Sequence, residues 1–455
     1  MRPVMQRVAF CTPVNPVESG ISDYSEELLP YLGQYVDLTL VVDAEVQPTN
    51  QQLLAKLPII RIGDLAKQHA RQPFDAIIYH MGNSPAHSRF WQSLQSLPGI
   101  VVLHDYVLHH LMLWHAANRL KNVASYRQLM QHYYAEQGSS IAQRMERGQL
   151  GDAVFDFPLS EPVIAQASSL IAHSQYVLER VQPQRPNLAT SLVPMGVPLL
   201  PAPDRLAARQ ALQLPAEIPI WASFGHINPY KRIEQALQAF AQFRRTYPDA
   251  RYILVGSVSP SYDLKALLQR LQLGESVQVT GYVDHADFNR YVAAADLCFN
   301  GRYPSAGETS ASLLRLLGAG RAVLVSDIAT FSELPADVVA HVPVDRDEVA
   351  LIAAYAQRLW ADVALREAME TNARRYVTEK HSLPLAARGY ADHLSRVQGW
   401  PRLEPQREPL WDINAVTIQH SIAQTIGRKA AQLGLVDDDA PLLDRLAARL
   451  RNLLT

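Results

Sequence analysis

The residues best suited to chemistry lie between Asn300 and Asp327, in NGRYPSAGETSASLLRLLGAGRAVLVSD. Gly307 and Glu308 close a loop there. Thr309 or Ser310 can then cap a helix by accepting hydrogen bonds from its first backbone N–H groups. Leu313, Leu314, Leu316 and Leu317 give that helix a broad apolar face, Gly318 and Gly320 end it, and Ala322–Val325 reads as a buried strand. A loop that carries a carboxylate into a capped helix start offers free N–H donors at the positive end of a dipole. Such a start holds a phosphate or a diphosphate. The pattern implies a phosphorylated small-molecule ligand.

Four other segments carry candidate groups. Gly20, in NPVESGISDYSEELLPYL, follows a first strand and lets backbone come close to a ligand ahead of a helix start. An ordinary strand–helix turn fits the same residues. In WASFGHINPYKR, His226, Lys231 and Arg232 sit just past another strand. Lys231 is a mobile point charge suited to a diphosphate, while Arg232 either joins it or opens the next helix as a solvated residue. GIVVLHDYVLHHLMLWH ends an apolar strand in His104 and Asp105. His104 is expected at the strand tip, pointing into a cleft where an imidazole bonds a substrate hydroxyl or shares a proton. His109, His110 and His115 read as packing or surface residues; no cysteine joins them and no compact spacing closes a metal shell, so no metal is expected. After a further strand, His80, Gly82 and Asn83 form with Asp105 a candidate wall for an acceptor; a plain turn fits nearly as well.

Positioning these loops requires strands that end side by side. Short apolar runs alternate with helical patterns along most of the chain, the signature of a doubly wound α/β architecture. Strands are expected at Arg7–Cys11, Val36–Val42, Pro58–Ile62, Ala76–Tyr79, Ile100–Leu103, Leu170–Ala172 and Ser191–Pro194. A second series follows at Ile218–Phe224, Arg251–Val255, Val277–Thr280 and Leu297–Asn300. Ser22 is the expected cap of a helix Ser22–Leu32, and a polar, helix-rich insertion spans about residues 107–160. The proline-rich stretch PMGVPLLPAPDR separates the two series as a linker. A long helical stretch covers Val349–Gln398, and two helix-like segments, Val416–Leu433 and Pro441–Leu454, form a tail.

The chain has 455 residues, 48% hydrophobic and 19% charged, which suits two or three globular domains. A formal net charge of −2 leaves no footprint for nucleic acid. Cys11 and Cys298 both fall in apolar runs and read as buried hydrophobes in a reducing compartment. The N-terminal residues read as a strand rather than a signal peptide, and no run approaches the roughly 18 apolar residues of a membrane span. A cytoplasmic location, with at most peripheral membrane contact, is the expectation.

In their order and spacing these segments resemble a GT-B glycosyltransferase, specifically of glycosyltransferase family 4, over roughly Arg7 to Gln398. The matching pieces are the Gly20 loop, the strand ending in His104, AHSQYVLERV, VPMGVP, FGHINPYKR, ILVGS, VTGYVDHADFNRYVAAADL and the GETS segment. The resemblance implies two Rossmann-like doubly wound domains facing a cleft, with a C-terminal helical extension. It divides the chain into an acceptor-side domain at 1–195, a linker at 196–205, a nucleotide-sugar-binding domain at 206–380, a returning helix at 381–398 and the extension at 399–455. It implies retaining transfer from a nucleotide-sugar donor, with no cofactor and no required metal. Gly20 then approaches the donor diphosphate, His104 contacts the donor sugar, Lys231 neutralises the diphosphate, and Glu308 contacts sugar hydroxyls. His226, Arg232, Gly307, Thr309 and Ser310 fall on the donor side, and His80, Asn83 and Asp105 on the acceptor side. Two positions depart from the family pattern. His226 stands where the family has an arginine, with Arg232 as a candidate substitute, and Arg315 stands where a second glutamate usually holds the ribose. A nucleotide-sugar epimerase, a phosphorylase and a catalytically silent nucleotide-sugar-binding scaffold remain as alternatives.

Overall fold

In the computed structural model, residues 5–149, 151–199 and 204–413 are described. Uninterrupted apolar strands such as IVVL and AVLVS can be buried only in sheets covered on both faces, and that is how they are used. The first sheet holds β1 (Arg7–Cys11), β2 (Asp37–Val42), β3 (Ile59–Arg61), β4 (Ala76–Met81), β5 (Ile100–Leu103), β6 (Ser169–Ala172) and β7 (Thr190–Leu192). Its order is β3-β2-β1-β4-β5-β6-β7, with every pair parallel. The second holds β8 (Ile220–Phe224), β9 (Arg251–Val255), β10 (Val277–Gly281), β11 (Leu297–Asn300), β12 (Ala322–Ser326) and β13 (Ala340–Val342). Its order is β10-β9-β8-β11-β12-β13, again parallel throughout. The strand order reverses beside β1 in one sheet and beside β8 in the other, so a crevice opens at the strand C-termini between β1 and β4 and between β8 and β11.

Each sheet has its own apolar core. Phe90, Trp91, Tyr126 and Met130 pack in the first, and Trp221, Phe240, Phe243 and Tyr252 in the second. The helix Leu383–Gln398 crosses back to the first domain and packs on the helix Gly20–Leu32. There His393 bonds the hydroxyls of Ser169 at 2.9 Å and Ser191 at 2.8 Å. The chain beyond it lies along the same helix end, where Leu410 N donates to Pro30 O and Gln406 N to Gln34 O.

The two doubly wound α/β domains expected from the sequence are the observed ones. Several details differ. Ser19, in an extended conformation, accepts from Ile21 N and caps a helix that begins at Gly20; Ser22, the expected cap, is buried inside the first turn. Ser310, not Thr309, caps the helix Ala311–Gly318, accepting from Leu313 N. β13 and the helices at Gln51–Lys56, Leu65–Arg71 and Ser88–Ser96 had no sequence expectation. The stretch Val349–Gln398 is three helices, Glu348–Ala361, Val363–Lys380 and Leu383–Gln398, broken at Asp362 and at His381–Ser382. The insertion contains helices His109–Trp114 and Val123–Glu146, the latter kinked where Ala135 takes a φ of 51°. Residues 399–412 form no helix or strand, and the tail helices expected at 416–433 and 441–454 lie outside the described residues.

A buried ion pair ties the start of the second domain to its sheet. Arg209 Nη2 meets Asp296 at 2.5 Å, both side chains only 3% exposed, while Ile220 N donates to the same carboxylate and Arg209 Nε donates to Ala294 O. Arg209→Leu leaves that carboxylate to the Ile220 N–H and to one more distant cation, Arg205 at 3.5 Å. The variant should lose about 3–5 kcal/mol of stability by denaturant unfolding.

Candidate functional site

Loops from both crevices converge. One linking contact is a single carbonyl: Ala306 O, in the loop after β11, accepts from Tyr106 N at 2.8 Å and Val107 N at 2.9 Å, just after β5. Gly307 next to it has a φ of 76°, and a Cβ there would lie 2.8 Å from Tyr106 Cβ. Only glycine lets this loop seat so closely. Further across, Glu333 accepts from the backbone N–H groups of Gln175 and Tyr176 at the start of another helix of the first domain. Arg315 pairs with Glu27 at 2.5 Å, and His285 Nε2 lies 3.6 Å from Asp23. Asp23 in turn holds the His285 pKa above its usual value through their hydrogen bond.

At the centre are four charged groups. Lys231, on a short turn after β8, points its ammonium back under Gly225 and donates to Phe224 O at 2.5 Å. Arg302, two residues past β11, bonds Glu308 Oε1 through Nε at 2.6 Å, and Ser305 Oγ donates to Glu308 Oε2 at 3.0 Å. Asp105 approaches from the first domain and accepts from Asn83 N at 2.7 Å. Burial, then the neighbouring Glu308 carboxylate, pushes the Asp105 pKa up to about 7. Burial first, then the Arg302 guanidinium, holds the Lys231 pKa well below the usual lysine range, with Glu308 pulling the other way. A ligand with negative oxygens would favour the charged ammonium. The helix starts at Gly20 and Ala311 open on the two crevices, and a Cβ on Gly20 would meet nothing within 4 Å.

Lys231, Glu308, Gly307, Ser310 and Asp105 are thus gathered around the crevices, and Thr309 is half-buried between Glu308 and the cap. Other candidates sit elsewhere. Arg232 takes a left-handed φ of 58° and turns its guanidinium to Glu348, whose side chain is only 2% exposed; it is committed to the second domain's packing and not to Lys231's side of the turn. His226 is exposed and bonds Ser257 Oγ at 3.1 Å. His80 is fully buried under the cleft, so it cannot line an acceptor wall directly. Asn83 spends its side-chain oxygen on Leu111 N. His104 is 4% exposed, and its Nε2 lies 2.8 Å from His80 Nδ1; the ring sits beneath the crevice rather than projecting into it. His109 and His115 are buried and bonded to Tyr126 and Ser88, and His110 is exposed. Among the described residues no group of three or more His, Cys, Asp or Glu could hold a metal ion, and no helix is long and apolar enough to cross a membrane.

Residues 204–376 match the family model of glycosyl transferases group 1. The match covers the second sheet, β8 to β13. A curated relative, the alpha-D-kanosaminyltransferase of Streptomyces kanamyceticus, is 25% identical over 169 residues, 37% of this chain and 43% of that enzyme. The chain therefore spans less than half the length of that relative. Among solved structures, sucrose-phosphate synthase from Thermosynechococcus elongatus superposes with a TM-score of 0.63 at 19% identity, covering 87% of this chain and 99% of that one. The Anabaena protein HepE, solved in complex with UDP-glucose, gives 0.60 at 16% identity, covering 86% and 99%. These likenesses extend over both sheets and establish the GT-B arrangement of two facing Rossmann-like domains.

Three residues of the site had gone unnoticed in the sequence. Arg302 stands in the same loop as Glu308, two positions past a strand at the reversal point, which is the signal that could have found it. Glu27 carried no signal, since its partner Arg315 is 288 positions away. His173 follows β6 as His104 follows β5, and adjacent parallel strands bring the two rings to 4.8 Å. With His80 and His87 they form a buried group beneath the cleft, where Tyr24 meets His104 and His173 edge-on. Burial lowers the pKa of His87 and of His173 to about 4, against 6.5 for a free imidazole. The unfolded chain therefore binds more protons than the native one between these values, and stability rises with pH from about 4 to 6.5. His173→Asn keeps a donor for Val193 O but removes one of the titrations. Its melting temperature, followed across that window, should climb less steeply with pH than that of the parent protein.

Proposed function

We propose that this protein is a glycosyltransferase that moves a sugar from a nucleotide-sugar donor to an acceptor hydroxyl, with retention at the anomeric carbon and without a metal. The observation that carries the reading is the convergence of Lys231, Arg302 and Glu308 at the β8/β11 reversal point, facing the Gly20 and Ala311 helix starts. Cations and helix N-termini aimed at one place favour a diphosphate, and favour it more as it departs with added negative charge. The group 1 domain match and the UDP-glucose bound by HepE support a nucleotide sugar as the diphosphate's carrier. HepE's ligand makes UDP-sugars the first donors to test.

In this reading the bond between the anomeric carbon and the diphosphate oxygen breaks while the acceptor oxygen bonds the same carbon from the same face. The acceptor's proton passes to the departing phosphate oxygen. Lys231 and the helix starts stabilise that oxygen's charge. Glu308 takes donor-sugar hydroxyls once it is free of Arg302. Asp105, its pKa raised to about 7, is in part protonated at neutral pH, and in that form it donates a hydrogen bond on the acceptor side and is a poor nucleophile, which disfavours a covalent intermediate. His104 steadies this wall from below through His80. The acceptor-side domain, the donor-side domain and their linker follow the division 1–195, 206–380 and 196–205, and the reaction belongs to the cytoplasm.

Calorimetric binding of UDP-, GDP-, ADP- and dTDP-sugars, followed by slow hydrolysis of the donor that binds, tests the function. One bound and hydrolysed donor is the expected result; binding with no hydrolysis would favour a silent scaffold. Lys231→Ala should cut hydrolysis by about a hundredfold or more with the melting temperature little changed, and near-normal turnover would remove Lys231 from the reaction.

A further inference from the structure

Diphosphate binding by one lysine is weak unless a second cation shares the charge, so the cations around the β8/β11 crevice need separate scrutiny. Arg232 is held by the buried Glu348 carboxylate through Nε and Nη2, and its left-handed backbone turns it into the second domain. His226 is exposed and bonds Ser257. Arg315 and His285 face Glu27 and Asp23 of the first domain. Arg302 differs from all of these. Its backbone is anchored, with Arg302 N donating to Ser326 Oγ at 2.9 Å at the end of β12. Gly301 before it is pressed on the Phe299 ring, where a Cβ would come within 2.5 Å. The side chain is only 13% exposed and is close enough to Lys231 to depress its pKa. Two cations are thus held near each other, with the Glu308 carboxylate set between them in charge.

Glu308 engages only the Nε edge of the guanidinium. Nη1 makes one long contact, 3.4 Å to Gly301 O, and Nη2 has no hydrogen-bond partner among the described residues. A planar fork with its outer edge unengaged, beside a half-buried ammonium, matches the geometry that phosphate oxygens take from arginine.

We propose that Arg302 is the second diphosphate-binding cation of this site, and that it exchanges Glu308 for the diphosphate when the donor binds. The proposal rests on the nucleotide-sugar reading above and adds its consequence: one carboxylate is stored on the cation until the ligand arrives. The diphosphate displaces Glu308, and Glu308 is thereby released towards the sugar. No bond to a proton need change, because Arg302 stays charged throughout.

Binding of UDP, GDP, ADP and dTDP, of the corresponding nucleosides, and of inorganic pyrophosphate separates the possibilities. Arg302→Gln should weaken the nucleoside diphosphate roughly tenfold to a hundredfold while nucleoside affinity is unchanged, and Arg302→Lys, which keeps the charge without the fork, should recover only part of the loss. Glu308→Gln should leave the nucleoside diphosphate as tight or tighter, since it frees Arg302, but weaken the intact nucleotide sugar. If Arg302→Gln instead matches Glu308→Gln, losing nucleotide-sugar affinity and leaving the nucleoside diphosphate alone, Arg302 merely positions Glu308 and the proposal is wrong. Pyrophosphate that binds in an Arg302-dependent way with no nucleotide binding would uphold Arg302 and remove the nucleotide reading. Binding of neither nucleoside diphosphate nor pyrophosphate overturns both.

Discussion

In a sheet whose strands all run the same way, every strand ends on the same edge, and that constraint organises this molecule. Each connection must cross back over a face, so both faces are covered by helices and the strands are apolar along their length. All the chemistry is thereby confined to the loops on one edge. Where the strand order reverses, beside β1 and beside β8, neighbouring loops are led to opposite faces and leave a crevice between them. Two such edges face each other here, and Gly20, Asp105, Lys231, Arg302 and Glu308 all occupy the segments that follow strand C-termini. The site is a consequence of direction before it is one of residue type.

Residue type then decides how charge is held while the strand edges keep it close. Each arginine near the crevice is answered by a particular carboxylate: Arg232 by Glu348, Arg302 by Glu308, Arg315 by Glu27. Their fates differ with burial and direction. Arg232 and Glu348 face away into the second domain, and Glu348 is so buried that separating them would strand a charge. Arg302 and Glu308 lie on the ligand side, and Glu308 at 20% exposed is better solvated than Glu348 at 2%, so exchange of partners costs less. The same guanidinium–carboxylate pairing therefore supports packing in one case and a replaceable contact in the other.

The strands were legible because a doubly covered parallel sheet demands short, continuous apolar runs. IVVL, RYILV and LCFN appear in the sequence at the bounds they take in the fold. β13 was not legible, since Ala340–Val342 is three residues at a sheet edge with a histidine in the middle. The loop at Gly307 and Glu308 was legible because a glycine and a capping serine have specific backbone uses. What could not be read was partnership. Whether Arg232 or Arg302 stands beside Lys231 depends on a left-handed residue at the turn and on a carboxylate 116 positions away. His104 is adjacent to His80 and His173 only through strand register, which turned an expected cleft residue into a buried one.

The contacts that join the two domains are largely polar. Apart from the returning helix Leu383–Gln398 and the packing of Phe155 on Tyr230 and of Gly307 on Tyr106, they are hydrogen bonds and half-buried ion pairs: the Ala306 carbonyl, Glu333 on two backbone N–H groups, Arg315 with Glu27, and His285 with Asp23. Such contacts replace water with little net gain, each contributing about 1 kcal/mol or less where it is partly exposed. A closure built from them can be undone without melting either core, because neither apolar cluster is divided by it. A purely apolar interface would have fixed the cleft shut. Polar contacts of this kind answer to charge, so the groups that hold the domains together are of the same kind as those that would meet a charged ligand in the crevice.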